Sequence, residues 1–531
     1  MGINLTRRRL LYAIAGLTTV SWLDIDRALA TPGPPLAAPE PFSFERLRER
    51  ARQLARRPFE PAPPRHPKLI EAIDYDTYQQ IQFRRDSALW ASTPGAMPVE
   101  FFHLGRYANK PVVIYVVEDG RARQVRYSPR LFDYGNTGLR TKLPDDLGFA
   151  GFHVLNPGER QGDWLAFMGA SYFRSSGPLH QYGLSARGIA VDTVVPGQPE
   201  EFPRFTALWL QQPREGGNTL TVYALLEGES ITGAYRFECR KDAAVVMDVH
   251  AQLFQREDIA QLGIAPLTSM YWYSETNHRR STDWRPEIHD SDGLAMWTGK
   301  GERIWRPLNS PPYIQTNAFL DHNPKGFGLL QRDRNFDHYQ DDGVFYNRRP
   351  SVWVEPMSAW GEGAVYLLEM PTNDEIQDNI VAFWVPARAA SKGTSWNLDY
   401  RLYWVATEPY IPDVGRVVAT RIGRSGIPGQ HETRPPNARK FVIDFTGGPL
   451  AQLRQRYDVQ VIAETSRGAI DNAYALKVVG TDLWRAFFDL RVDGKEAVDL
   501  RCYLRLGERT LTETWIYQYF PGNYGLQLAG R

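Results

Sequence analysis

The chain has 531 residues, more than one hydrophobic core usually serves, so two domains are expected. Its 62 basic and 61 acidic residues nearly cancel, which excludes the strong single-sign field of a nucleic-acid or membrane-surface binder. Aromatic residues reach 12%, with 15 Trp and 26 Tyr, which fits either a large β core or a cleft whose rings stack on sugars.

Residues 6–12 read Thr-Arg-Arg-Arg-Leu-Leu-Tyr, an apolar stretch follows to Leu23, and Ala28-Leu29-Ala30 supplies a small-residue cleavage site. This is a tripartite export signal over residues 1–30, and the arginine pair ahead of Leu-Leu matches the twin-arginine pattern. Periplasmic delivery is the expectation. No later segment is apolar enough to span a bilayer as a helix, so no membrane insertion of the mature protein is expected.

Residues 31–41 are Pro/Ala-rich and read as a leader outside folded structure. A helix follows, with Ser43 placed to cap it, apolar positions at Phe44, Leu47, Ala51 and Leu54, and Pro58 as its stop. From about residue 98 short β-branched and aromatic runs alternate with Gly, Pro and Asp. Strands are predicted at 112–117, 219–226, 234–239, 243–254, 364–370, 380–385 and 398–405. Pro409 and Pro412 mark a boundary, and 409–439 reads as a linker ending in a mobile Gly/Pro/Arg-rich loop. Six more strands are predicted at 440–444, 457–464, 473–479, 483–490, 497–506 and 511–519. The fold class is therefore all-β, a large antiparallel sandwich over 42–408 and an immunoglobulin-like sandwich over 440–531. Cys239 and Cys502 fit no metal or redox spacing and are expected as buried thiols.

No Walker loop, HExxH, CxxC or Gly-x-Ser-x-Gly elbow is present, and the ten histidines show no ligand spacing. No cofactor and no metal are expected. What remains is carboxylates set among aromatics and arginines: His289-Asp290-Ser291-Asp292, the run Asp333 to Asp341, and Glu369 to Asn379. A paired carboxylic acid and carboxylate flanked by rings is the equipment of glycoside hydrolysis. Turn aspartates bonded to backbone amides would look the same in sequence.

These stretches carry a resemblance. LGFAGF (147–152), YGLSARG (182–188), ITGAYRF (231–237), LGIAPLTSM (262–270), PEIHDSDGL (286–294), NPKGFGLLQRDRNFDHYQD (323–341) and RRPSVWVEP (348–356) form one pattern. The chain resembles the osmoregulated periplasmic glucan biosynthesis proteins over roughly residues 42–525, and the twin-arginine signal is similar to that of their D type. The resemblance implies a galactose-mutarotase-like sandwich joined to an immunoglobulin-like domain, and action on β-1,2-linked glucan. It further implies an inverting endo-β-1,2-glucanase with Asp378 as general acid and Asp290 as general base. Trp297, Trp305, Tyr339 and Trp353 are candidate sugar platforms, and Arg334, Asp337, Glu355 and His289 complete the binding set. Transglycosylation by the same pair, and guidance of glucan without cleavage, stay open as alternatives. Glucan chains are the expected partner, no nucleic acid is expected, and a homodimer is allowed.

Overall fold

The computed structural model describes residues 33–522 apart from 62, 64, 94, 157–161, 212–216, 279–281 and 427–434. The export signal at 1–30 and most of the Gly/Pro/Arg-rich loop lie outside the described residues. Among the described residues, no helix is long and apolar enough to cross a membrane. The fold is all-β, built from several largely antiparallel sheets, and it divides into two units. The first runs to Pro266 and adds Pro356–Ser358 and Phe383–Trp404, while the second takes Leu267–Glu355, Ala359–Ala382 and the chain from Val405 on.

The core of the first unit follows from period-two alternation. Strands Thr219–Glu227, Ile231–Lys241, Val245–Gln255 and Ser395–Val405 pair antiparallel, with Phe237 opposite Val222 on one side and Val249 on the other. Because side chains alternate between faces, one face presents Tyr235, Phe237 and Cys239 inward, all fully buried. A second sheet carries Val99–His103, Phe149–Leu155, Asp163–Met168 and Tyr172–Ser175. The two meet through edge-to-face rings, with Phe237 lying 5.1 Å from Phe167 and 4.9 Å from Phe173. The opposite face of the first sheet is covered by helix Phe44–Ala55. Ser43 caps it by accepting from Arg46 N, and its Leu47 and Ala51 pack with Trp209, Leu225 and Ala234.

One stretch expected outside folded structure is part of it. Residues 35–42 run beside strand Arg121–Gln124, Ala37 N donates to Gln124 O at 2.8 Å, and Glu40–Pro41 pair with Ala122 and Arg121. Proline lacks the N–H that an inner strand needs, but an edge strand leaves that side unpaired, so a Pro-rich segment can cover a sheet edge. Strand Arg416–Arg424 likewise continues into the segment read as a loop, and the chain resumes as strand at Ala438–Thr446.

In the second unit Gly293–Trp297 pairs with Arg303–Pro307 and with Gly326–Leu330, and Trp305 sits in parallel register with Trp515 of Thr514–Tyr519. Two close approaches require glycine. A Cβ at Gly293 would lie 2.4 Å from the Trp305 ring, and one at Gly326 would lie 2.5 Å from the Trp353 ring. Both indoles therefore lie flat on backbone. Toward the C-terminus, the sheet of Arg416–Arg424, Ala438–Thr446, Trp484–Arg491 and Ala469–Lys477 faces Thr514–Tyr519. Phe441 contacts Trp515 and Tyr519, and Trp515 Nε1 donates to Thr420 Oγ1 at 2.9 Å. Both cysteines are buried free thiols, as expected.

Since Phe237 joins both sheets of the first unit, Phe237→Ala should destabilise the protein by about 3–5 kcal/mol in urea unfolding. A loss under about 1 kcal/mol would show that the ring is not part of a close-packed core.

Candidate functional site

The three polar-aromatic stretches lie in the second unit, and hydrogen bonds join them. Short strands Tyr271–Tyr273 and Ile288–His289 pair, placing Tyr271 opposite His289, and Asp290 N donates to Met270 O at 2.8 Å. Asn379 fixes the third stretch to this hairpin. Its Oδ1 accepts from Tyr271 N at 2.8 Å, while its Nδ2 donates to Tyr271 O at 2.9 Å and to Met370 O at 2.8 Å. An Asn is suited to this because one amide can bond both backbone groups of a neighbour. Asp378, the residue before it, is exposed on the connection into strand Ile380–Pro386.

The same connection is held at a second point. Arg285 donates to Asp341 at 2.6 Å, to Glu375 at 3.0 Å and to Asp283 at 2.9 Å, and Tyr346 OH donates to Glu375 as well. The carboxylates raise the Arg285 pKa against the effect of its burial. The loop carrying Asp378 is thus anchored on both sides of that residue, at Glu375 and at Asn379.

Asp290 is completely buried and forms an ion pair with Arg349, itself 1% exposed. The Arg349 guanidinium stacks 3.9 Å from the centre of the Tyr346 ring. An arginine partner favours the ionised form of a carboxylate, the form a general base needs.

Around His289 lies a second charged group. His289 is fully buried; it donates from Nε2 to Glu287 and from Nδ1 to Gln331 Oε1, each at 3.0 Å. Burial opposes its charge, but Glu287 and Asp292 overcome that and push its pKa up to about 9. Asp292 accepts from Asp333 N at 2.7 Å and from Arg332 N; burial, with Asp333 nearby, pushes its pKa up to about 6 against the pull of His289. Glu275, which accepts from Thr420 N at 2.7 Å, is pushed up to about 8 by burial and by Glu287. Glu287, Asp333 and His338 each offer one donor atom within 4.8 Å of the others, the kind of grouping that holds a metal ion.

The binding candidates separate by exposure. Trp305, Tyr339 and Trp353 are 4%, 0% and 1% exposed, so they pack as core rings and present no face to a sugar. Trp305 lies under the Arg332 guanidinium at 3.8 Å, and the Tyr339 hydroxyl bonds Gln331 and Asp333 O. Trp297 is half-buried, with Arg303 over its ring at 3.6 Å. Arg334 donates to the backbone oxygens of Asn347 and Ala406, which makes it a loop brace. Asp337 is exposed on the turn Phe336–His338, and Glu355 accepts from Tyr410 OH at 2.8 Å. Sequence reasoning missed Arg349, Gln331, Arg285 and Glu375. Arg349 and Gln331 lie within the family-like stretches and Glu375 within the Glu369–Asn379 run, but nothing in sequence distinguishes a buried, braced side chain there from a solvated one.

Over residues 42–519 the chain matches the family described as periplasmic glucan biosynthesis protein, MdoG. It is 50% identical over 528 residues to glucans biosynthesis protein D 2 of Ralstonia nicotianae, an alignment covering 97% of this chain and 98% of that one. Glucans biosynthesis protein D of Xanthomonas oryzae pv. oryzae is 49% identical over 491 residues, covering 92% and 91%. The protein of that name from Stenotrophomonas maltophilia is 48% identical over 489 residues, again covering 92% and 91%.

Two outcomes follow from these charges. Removing the cation in Arg349→Met leaves Asp290 buried without its partner and should cost about 3–5 kcal/mol, part of which Asp290→Asn in the same chain should restore. Equal stability of the single and double variants in urea would contradict the pairing. A folded-state pKa of His289 raised from 6.5 to about 9 gives stability that is complete below pH 6.5 and lost as pH rises toward 9. Wild type should therefore lose roughly 1–3 kcal/mol more than His289→Gln between these pH values. Parallel curves would show that the imidazole does not carry the charge.

Proposed function

The chain belongs to the periplasmic glucan biosynthesis protein family, and on that basis we propose that it is a periplasmic enzyme acting on β-1,2-glucan, an inverting endo-glucanase with Asp378 as acid and Asp290 as base. A role in periplasmic glucan biosynthesis follows from the family; export by the twin-arginine route is part of the proposal.

The observation that carries the reading is the different setting of the two aspartates on segments tied together through Asn379 and Tyr271. Asp378 is exposed on a loop anchored at Glu375 and Asn379, where a general acid can reach a leaving oxygen. Asp290 faces the Arg349 guanidinium, and a neighbouring cation favours the carboxylate form that a base uses. Trp297, Asp337 and Glu355 have solvent access and serve as the proposed sugar contacts. His289, Trp305, Tyr339, Trp353 and Arg334 support them from within. A second reading, transglycosylation, is favoured by the burial of Asp290, because a base shielded from bulk water can receive its proton from a sugar hydroxyl instead.

Linear β-1,2-glucan incubated with the protein separates these readings by product size. Shortened chains mark hydrolysis, cyclic or branched products mark transfer, and unchanged glucan leaves a non-catalytic guide. Asp378→Asn and Asp290→Asn should each lower turnover by about 10²–10⁴-fold while glucan still binds. Asp374→Asn, close in sequence to the acid, should keep most of the activity. Near-normal turnover in Asp378→Asn would refute the mechanism.

A further inference from the structure

We propose that Glu287, Asp333 and His338 form a binding site for a divalent first-row transition ion of the zinc class. Two segments of the second unit supply the three residues, Glu287 from one and Asp333 with His338 from the other. Glu287 immediately precedes strand Ile288–His289, Asp333 follows strand Gly326–Leu330, and His338 ends the turn Phe336–His338. Their donor atoms lie within 4.8 Å of one another. Ligand distances near 2.0–2.2 Å place neighbouring donors about 3–3.5 Å apart, so closure needs a contraction of roughly 1 Å. His338 is exposed on a short turn, where its Nδ1 already bonds the Asp333 carboxylate, and an ion bound there takes the place of the proton they share.

The donor chemistry selects the ion. Two carboxylates and one imidazole are a mixed oxygen and nitrogen set; calcium and magnesium prefer oxygens alone, whereas zinc takes imidazole with carboxylate. Glu287 is already oriented for the task, because His289 Nε2 donates to its Oε2 at 3.0 Å, the relation by which an outer residue fixes a ligating group. The charge balance points the same way independently of that geometry. Glu287, Asp292 and Asp333 all act on the His289 imidazole, so carboxylates outnumber the one cation held among them. The adjoining arginines are engaged elsewhere, Arg332 with Glu408 and Glu513, and Arg334 with backbone oxygens. A dication answers that excess. The bound ion would join the 333–341 loop to the segment bearing Asp290, with its remaining positions taken by water or by hydroxyls of a ligand.

The test uses the full-length mature protein after chelator treatment, titrated calorimetrically with Zn²⁺ and followed by visible absorption with Co²⁺. One ion should bind per chain, and His338→Ala and Asp333→Asn should each weaken binding by at least about tenfold. Ca²⁺ at the same concentration should not compete. His66→Ala and His322→Ala, at exposed histidines away from the cluster, should bind as wild type does. The proposal is overturned if no saturable one-to-one binding occurs, if Ca²⁺ displaces the ion, or if affinity survives both cluster variants. Because the readout is metal affinity and not turnover, failure of the glucanase reading would leave the result intact.

Discussion

Two opposite charges with almost no access to water, Asp290 and Arg349, set the conditions for everything around them. Removing either ion from water costs several kcal/mol, and only close pairing with further partners for the guanidinium offsets that cost. Here the further partner is the Tyr346 ring, stacked against Arg349. Tyr346 in turn donates to Glu375, and Glu375 pairs with Arg285. The ion pair is thus the inner end of a chain of contacts whose outer end fixes the loop bearing Asp378. Loosening the inner pair would loosen the loop.

The sheets supply what this chain of contacts needs, which is fixed positions at strand ends. Gly293 and Gly326 let the indoles of Trp305 and Trp353 lie against backbone, and that packing holds the strands that enter the 289–292 and 331–341 segments. Trp305 also forms the floor on which Arg332 rests while that arginine reaches Glu408 and Glu513. Aromatic residues within the functional motifs therefore act mainly through rigidity.

Much of this fold is legible in the sequence because local rules decide it. The capped helix at Phe44–Ala55 follows from Ser43 and a 3–4 residue apolar spacing, and strands such as Thr219–Glu227 and Ile231–Lys241 follow from β-branched and aromatic runs ending at turns. The Pro-rich segment at 35–42 was not legible, since what orders it is an unfilled sheet edge far away in sequence. At the site, the carboxylate-rich stretches holding Asp290 and Asp378 stand out by composition, whereas the choice of those two residues rests on the family resemblance alone. Whether Trp305, Tyr339 and Trp353 face solvent could not be read, because a strand residue's side depends on register. Arg349 and the Glu287, Asp333 and His338 group depend on tertiary contacts in the same way, and no spacing in the chain foretells them.

The contrast in exposure between the proposed acid and base carries a consequence for the order of events. Asp378 is exposed and lies open to an arriving ligand. Asp290 does not, since its carboxylate is sealed with Arg349 in the free protein. A ligand that engages Asp290 must either shift the Arg349 contact or open the packing that buries the carboxylate. Both routes require binding energy from sugar units away from the cleaved bond, which is how remote contacts contribute to turnover and not only to affinity. On this arrangement short substrates, lacking those units, would suffer in turnover more than in binding.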